Sequence, residues 1–210
     1  PVKHAVKGGG GSAMIKTPEL AAEIIESAKK ASLPVSVKTR LGYSSVEEWR
    51  QWIGHLLKQD ICALTIHLRS RKEMSKVPAH WELMPEIKKL RDEIAPHTFL
   101  IGNGDVEDKA HGQKLIEEFG IDGVMIGRGV FTNPFAFETK VREHSKHEML
   151  KLLDYHLKLF DESNNINRPY ETLKRFFKIY IRDFAGAHEL RNALMLSKDI
   201  TEARNIIHNS

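Results

Sequence analysis

Residues 98–129, "TFLIGNGDVEDKAHGQKLIEEFGIDGVMIGRG", decide the fold. The stretch opens on Phe99-Leu100-Ile101 and passes directly into Asn103-Gly104-Asp105, a buried strand emptying into a polar turn. Residues 106–120 carry apolar side chains at helical spacing and stop at Gly120, the residue best suited to a helix C-terminus. A second apolar run, Val124-Met125-Ile126, delivers Gly127-Arg128-Gly129. Strand, helix and strand at a spacing of about 30 residues make a βαβ unit, whose strands must run parallel.

The pattern continues toward the N-terminus. "LPVSVKTR" (33–40) and "CALTIH" (62–67) read as two more buried strands. A helix begins at Thr17-Pro18-Glu19, with Thr17 as N-cap and Leu20, Ile24, Ile25 and Ala28 on one face. A second covers "SSVEEWRQWIGHLLKQ" (44–59), lined by Val46, Trp49, Ile53, Leu56 and Leu57. A third covers "WELMPEIKKLRDEIA" (81–95), with Pro85 in its first turn. All four strands end in polar or glycine-rich segments: Lys38-Thr39-Arg40, His67-Leu68-Arg69, Asn103-Gly104-Asp105 and Gly127-Arg128-Gly129. A β/α barrel gathers such ends on the face that holds its site, and a doubly wound sheet places ligands at the same edge; the pattern leaves both open.

Beyond residue 140 only helical periodicity remains. Met149, Leu152, Leu153, His156, Leu157 and Phe160 line a helix over 146–162. Residues 168–182 read as one basic helix, with Leu173, Phe176, Phe177, Tyr180 and Phe184 on one side and Lys174, Arg175, Lys178 and Arg182 on the other. Two short helices follow at 187–195 and 200–209, and "ESNNINRP" (162–169) is a polar turn inside the same unit. The expected organisation is an α/β part over 1–143 and an all-helical part over 144–210.

Of the 210 residues, 41% are hydrophobic and 29% charged, enough for a globular core. No apolar run approaches the roughly 20 residues of a membrane span. Cys62 is the single cysteine, so no internal disulfide can form; a reducing compartment and a cytoplasmic location are expected, with Cys62 itself a small core residue. The net charge of +4 permits an anionic partner. The chain contains no HExxH, GxSxG or P-loop spacing, and no metal site is expected.

The strand ends carry the chemistry. Gly127-Arg128-Gly129 before a helix start reads either as a tight turn or as a phosphate site, because backbone N–H groups approach an anion closely where there is no Cβ. Asn103-Gly104-Asp105 puts an amide and a carboxylate at the same edge, although Asp105 is also accounted for as the N-cap of the next helix. Lys38, in a strand read as buried, needs a partner or solvent. His67 ends the neighbouring strand in the same way. A lysine and a histidine facing a phosphate and a heteroaromatic ring suit a flavin nucleotide.

Taken together, "PVSVKTRLGY" (34–43), "LTIHLRSR" (64–71), "FLIGNGDV" (99–106), "VMIGRGVFTNPF" (124–135) and the tail "LKRFFKIYIRDFAGAHELRNALM" (173–195) resemble the second half of a tRNA-dihydrouridine synthase. The resemblance implies the second half of a TIM (β/α)8 barrel followed by a C-terminal helical tRNA-binding domain. It implies FMN as cofactor, NADPH as reductant, and reduction of the C5–C6 double bond of tRNA uridines. By carry-over, Lys38 and His67 lie at the flavin, while Asn103, Gly104, Asp105, Gly127 and Arg128 form its phosphate end. Arg40, Arg69 and Arg71 then face tRNA or the target uridine, and Lys174, Arg175, Lys178 and Arg182 face tRNA. "PVKHAVKGGGGSAM" (1–14) resembles the basic, glycine-rich loop that follows the family's Asn-x-Gly-Cys-Pro motif. Its glycines therefore read as native, the catalytic cysteine is expected just ahead of Pro1, and no catalytic residue is expected within the chain. The family's His-Gly-Arg-Thr is His67-Leu68-Arg69-Ser70 here, which is expected to put the Leu68 side chain near the flavin pocket. The partner is tRNA, with the protein monomeric and off the membrane. The alternatives are a non-catalytic tRNA-binding module and another FMN-dependent barrel oxidoreductase acting on a small molecule.

Overall fold

The computed structural model describes residues 2–140, 142–163 and 168–210. The chain divides into two compact units, one up to Val130 and the other Phe131–Ser210. Four strands, β1 (Ser36–Arg40), β2 (Ala63–His67), β3 (Phe99–Asn103) and β4 (Gly123–Met125), form a parallel sheet in the order β1-β2-β3-β4. Arg40 pairs with His67, His67 with Asn103, and Asn103 with Met125, so the strand ends stand side by side.

The helices that connect them follow the expected pattern. After a short helix α1 (Lys3–Lys7) come α2 (Pro18–Lys29), α3 (Trp49–Leu57), α4 (Met84–Ile94) and α5 (Lys109–Phe119). Side chains alternate across a strand, so Leu64, Ile66 and Leu100 share one face. They are fully buried there, in one core with Ile25, Ile53 and Ile87 of the helices. Gly102, paired with Ile66, lies on the same face, where a Cβ would come within 2.5 Å of the Trp81 ring. Gly120 closes α5 in the left-handed region at φ 60°.

Four local expectations change. Strand β1 is not buried: its residues run from half-buried to exposed, since among the described residues β1 is an edge strand of the sheet. In α2 it is Ala21 and Ile25 that are buried, while Leu20 and Ile24 stay 44% and 45% exposed. Helix α3 starts at Trp49 rather than near 44, because the Glu48 carboxylate accepts the N–H groups of Tyr43, Ser44 and Ser45 and folds that stretch into a loop. The N-cap of α5 is Asp108, which accepts the His111 N–H at 2.8 Å, and not Asp105. Cys62, ahead of β2, is half-buried.

In Phe131–Ser210 the elements among the described residues are helices. Helix α6 (Gly129–Thr132) crosses into this unit, followed by α7 (Lys146–Glu162), α8 (Glu171–Lys174), α9 (Phe177–Tyr180), α10 (Ala187–Leu196) and α11 (Ile200–His208). Ser145 and Glu148 form a reciprocal capping box at the start of α7. The single helix expected over 168–182 is instead two one-turn helices, α8 and α9, separated at Arg175-Phe176. The reason is the density of apolar residues. Leu173, Phe177, Ile179, Tyr180 and Ile181 are all buried, and residues 179–181 cannot all lie on the buried face of one straight helix. Most of the polar turn read at 162–169 lies outside the described residues.

Candidate functional site

The sheet face turned away from the helices carries Lys38, Arg40, Thr65, His67, Ile101 and Asn103 by strand alternation and register. Lys38 is exposed, and both desolvation by the neighbouring strands and the Arg40 charge lower its ammonium pKa. Arg40 donates from Nη1 to the carbonyls of Ser70 at 3.0 Å and Met74 at 3.1 Å. His67 is half-buried. Desolvation first, then the Arg40, Lys38 and Arg69 charges, push its pKa down to about 3, against an opposing pull from Asp105. Its ring is therefore neutral at ordinary pH, and its buried Nδ1 has no hydrogen-bond partner. Asn103 donates from Nδ2 to the Met125 carbonyl at 2.8 Å, and its own carbonyl accepts the Leu68 N–H at 2.9 Å.

Asp105 ties three strand-end loops together. Its carboxylate takes an ion pair from Arg69, accepts the Ala79 N–H at 2.9 Å, and faces the Arg128 guanidinium at 3.6 Å. The Arg69 hydrogen bond is the main reason its carboxyl sits below the usual carboxylate range. Arg69, expected to face a nucleic acid, is instead 2% exposed and also donates from Nε to the Val77 carbonyl. A guanidinium with an acidic partner this close is held inside. One of its nitrogens, Nη1, is buried without a partner. Gly104 adopts φ +131°, and a Cβ there would come within 2.7 Å of Ala79 Cβ. At Gly129 a Cβ would meet the Glu107 carbonyl at 2.2 Å, so the turn after β4 lies directly on the β3–α5 loop. Gly127 and Arg128 remain exposed at the rim.

The loops beyond the strands are also stitched. The Arg71 guanidinium and the Lys16 ammonium lie 5.0 and 5.1 Å from the Tyr43 ring centroid. Leu68 does not enter the face that carries His67: it is fully buried in the helix-side core, because adjacent strand residues point to opposite faces. Two residues with no sequence signal, Glu73 and His80, organise the loop after β2. Glu73 accepts the Ser70 N–H at 2.7 Å and meets His80 Nε2 at 2.9 Å. They lie on an irregular loop rather than on a helix or strand, so only the folded loop brings them together.

The basic residues of 171–182 do not share one helix face. Lys174 donates to the Met195 carbonyl at 3.0 Å, and Arg182 donates to the Thr132 carbonyl and pairs with Asp183 at 3.2 Å. Arg175, over the Phe176 ring at 4.6 Å, and Lys178 are exposed.

A neutral imidazole with an unpaired nitrogen, a lysine of lowered pKa, and glycine turns beside an exposed arginine thus stand at neighbouring strand ends, a candidate site by their chemistry. The sequence model of the family described as Dihydrouridine synthase (Dus) matches residues 1–209. The chain belongs to the dihydrouridine synthase family. It is 59% identical over 208 residues to the "Probable tRNA-dihydrouridine synthase 2" of Bacillus subtilis, covering 99% of this chain and 64% of that protein. It is 56% identical over 208 residues to the "Probable tRNA-dihydrouridine synthase" of Staphylococcus epidermidis, with the same coverage of both chains. The protein of that name from Staphylococcus aureus is 56% identical over 209 residues, 99% of this chain and 63% of its own. The chain thus spans a little under two thirds of the length of these relatives.

Proposed function

We propose that this chain is the flavin-holding and RNA-binding portion of an FMN-dependent tRNA-dihydrouridine synthase, which uses NADPH to reduce the C5–C6 bond of tRNA uridines. The observation that carries the reading is the buried, unpaired Nδ1 of a neutral His67 beside Lys38, Arg40 and Asn103. A ring that is neither charged nor hydrogen-bonded is left to meet a ligand. In this reading the sheet is half of a β/α barrel: its strands follow one another without reversal, and its core-forming helices pack on one face. Residues 1–143 supply that half-barrel and 144–210 a helical tRNA-binding part.

The residues present fit a flavin mononucleotide. Gly104, Gly127 and Arg128 would meet the phosphate with backbone N–H groups and a guanidinium, supported by Asn103 and Asp105. Lys38 and His67 would meet the ring. Bound there, the flavin would supply the two-electron chemistry linking NADPH oxidation to reduction of the pyrimidine. Lys38 would place a positive charge beside it, and His67 a neutral imidazole. Arg40 and Arg69 hold the β2 loop in place, and a uridine must leave its stack to reach the site. Proton delivery is assigned, by resemblance, to a cysteine ahead of Pro1. Arg71, Arg175 and Lys178 are the cations proposed to meet tRNA. Among the described residues no helix is long and apolar enough to cross a membrane, and a cytoplasmic monomer is proposed.

The test uses the full-length protein. It should purify with bound flavin and form dihydrouridine in unmodified tRNA, measured by nucleoside mass spectrometry. Lys38→Ala and His67→Ala should each lose most of the bound flavin. A full-length protein without flavin and without dihydrouridine product would overturn the reading.

A further inference from the structure

His80 is bonded through both ring nitrogens to carboxylates: Nδ1 to Glu82 at 2.8 Å and Nε2 to Glu73 at 2.9 Å. A neutral imidazole has one N–H, and an ionised carboxylate only accepts. Both contacts can be hydrogen bonds together only if the ring carries two protons. Glu73 is ionised, since the Ser70 N–H, His80 and the Ser70 hydroxyl together hold its carboxyl below the usual range. The two partners belong to different segments: Glu73 lies in the loop after β2, and Glu82 in the short helical turn Trp81–Leu83 that leads into α4. The same loop carries Arg69, accepts two hydrogen bonds from Arg40, and is fixed at its far end by the His80 N–H donating to the Leu68 carbonyl at 2.7 Å.

We propose that His80 is a positioning residue acting as a proton-dependent lock: as an imidazolium it ties the 68–80 loop down over the strand ends that carry Arg40, His67 and Arg69, and as a neutral ring it releases one carboxylate. The charged groups around it favour the imidazolium. Glu73 faces it from the loop and Glu82 from the helical turn. Arg40, on β1, directs its charge toward Glu73, and the adjoining Arg69–Asp105 pair meets the loop through the Ala79 N–H. Burial opposes the charge, but the two carboxylate hydrogen bonds outweigh it and raise the His80 pKa. A raised folded value means that the lock is complete below the ordinary histidine range and opens as pH rises through the folded value.

The bearing of this lock on tRNA reduction rests on the function proposed above. The lock itself needs neither flavin nor RNA, so failure of one can be told from failure of the other. The experiment is hydrogen exchange by mass spectrometry on the full-length protein at about pH 6 and about pH 9, corrected for the intrinsic pH dependence of exchange. Protection of the segment around Ser70 should fall by about tenfold as the charged hydrogen bonds are lost. Glu82→Gln, at an exposed position, should shift the fall to lower pH, and His80→Gln should make protection independent of pH. Protection that does not change in the parent protein would overturn the proposal. So would an unchanged profile in either Glu82→Gln or His80→Gln; the Glu82 change decides the matter if the His80 variant does not fold.

Discussion

At the strand ends, Arg40 directs its donors to the carbonyls of Ser70 and Met74, and Arg69 is buried against Asp105. Within 171–182 two cations behave otherwise: Arg175 and Lys178 are exposed, with Arg175 over the face of Phe176, while Lys174 and Arg182 are held by backbone carbonyls. The contrast is between cations held within the fold and cations left hydrated at the surface. A desolvated guanidinium must be paired, and pairing fixes it. A hydrated one keeps its freedom and its sensitivity to salt, which suits reversible contact with a polyanion.

The comparison can be broken most severely through the apolar core of the unit that carries the exposed cations. Phe177, 1% exposed, lies in that core between Arg175 and Lys178 in sequence, and Phe177→Ala should destabilise the protein by about 3–5 kcal/mol in a urea titration. Loss of RNA binding without loss of stability in that variant would contradict a packing role. At the strand ends, Asp105→Ala leaves Arg69 buried with its charge unpaired. The expected loss is about 3 kcal/mol, at the low end for such pairs because Asp105 is itself partly exposed. An unchanged urea midpoint would mean that Arg69 finds another partner.

Two smaller effects sharpen the contrast. Arg128, 66% exposed and only loosely paired, should weaken FMN binding by about 1–3 kcal/mol when changed to alanine, read by dialysis of the full-length protein. Arg175→Ala with Lys178→Ala should flatten the salt dependence of tRNA affinity by about two counterions. A slope identical to the parent's would make these residues ordinary surface. A further effect concerns acid. His67 titrates at about 3 in the fold, well below the ordinary value of about 6.5. The unfolded chain therefore takes up the proton first. This contribution to stability is complete above about pH 6.5 and is lost as pH falls toward the folded value. His67→Gln should make the decline in urea midpoint between about pH 7 and about pH 4 shallower.

How much of this was legible depended on periodicity. Parallel strands and their polar ends followed from short apolar runs separated by helical patterns, and β1 to β4 lie where those runs stand. What failed was local. Asp105 and Asp108 both suit an N-cap, and only the path of the chain after Gly104 selects Asp108. Periodicity read 168–182 as one helix because Leu173, Phe177 and Tyr180 fit it; Ile179 and Ile181, also buried, do not. Leu68 looked like an intruder in a ligand pocket until strand alternation turned it into the core. The Glu73–His80–Glu82 cluster left no trace in sequence, since its members sit on an irregular loop and a single helical turn.

Gly102 has a consequence for measurement. By leaving room for the Trp81 ring, it lets that indole stack on Phe119, with ring centroids 5.5 Å apart, and donate from Nε1 to the Gly104 carbonyl at 3.0 Å. Trp81 also adjoins His80 in sequence. The protein therefore carries its own optical gauge at the glycine turn. With Trp49 and Trp52 changed to phenylalanine, the emission of Trp81 should report, without any added label, both the arrival of an anion at Gly104 and the protonation of the neighbouring imidazole.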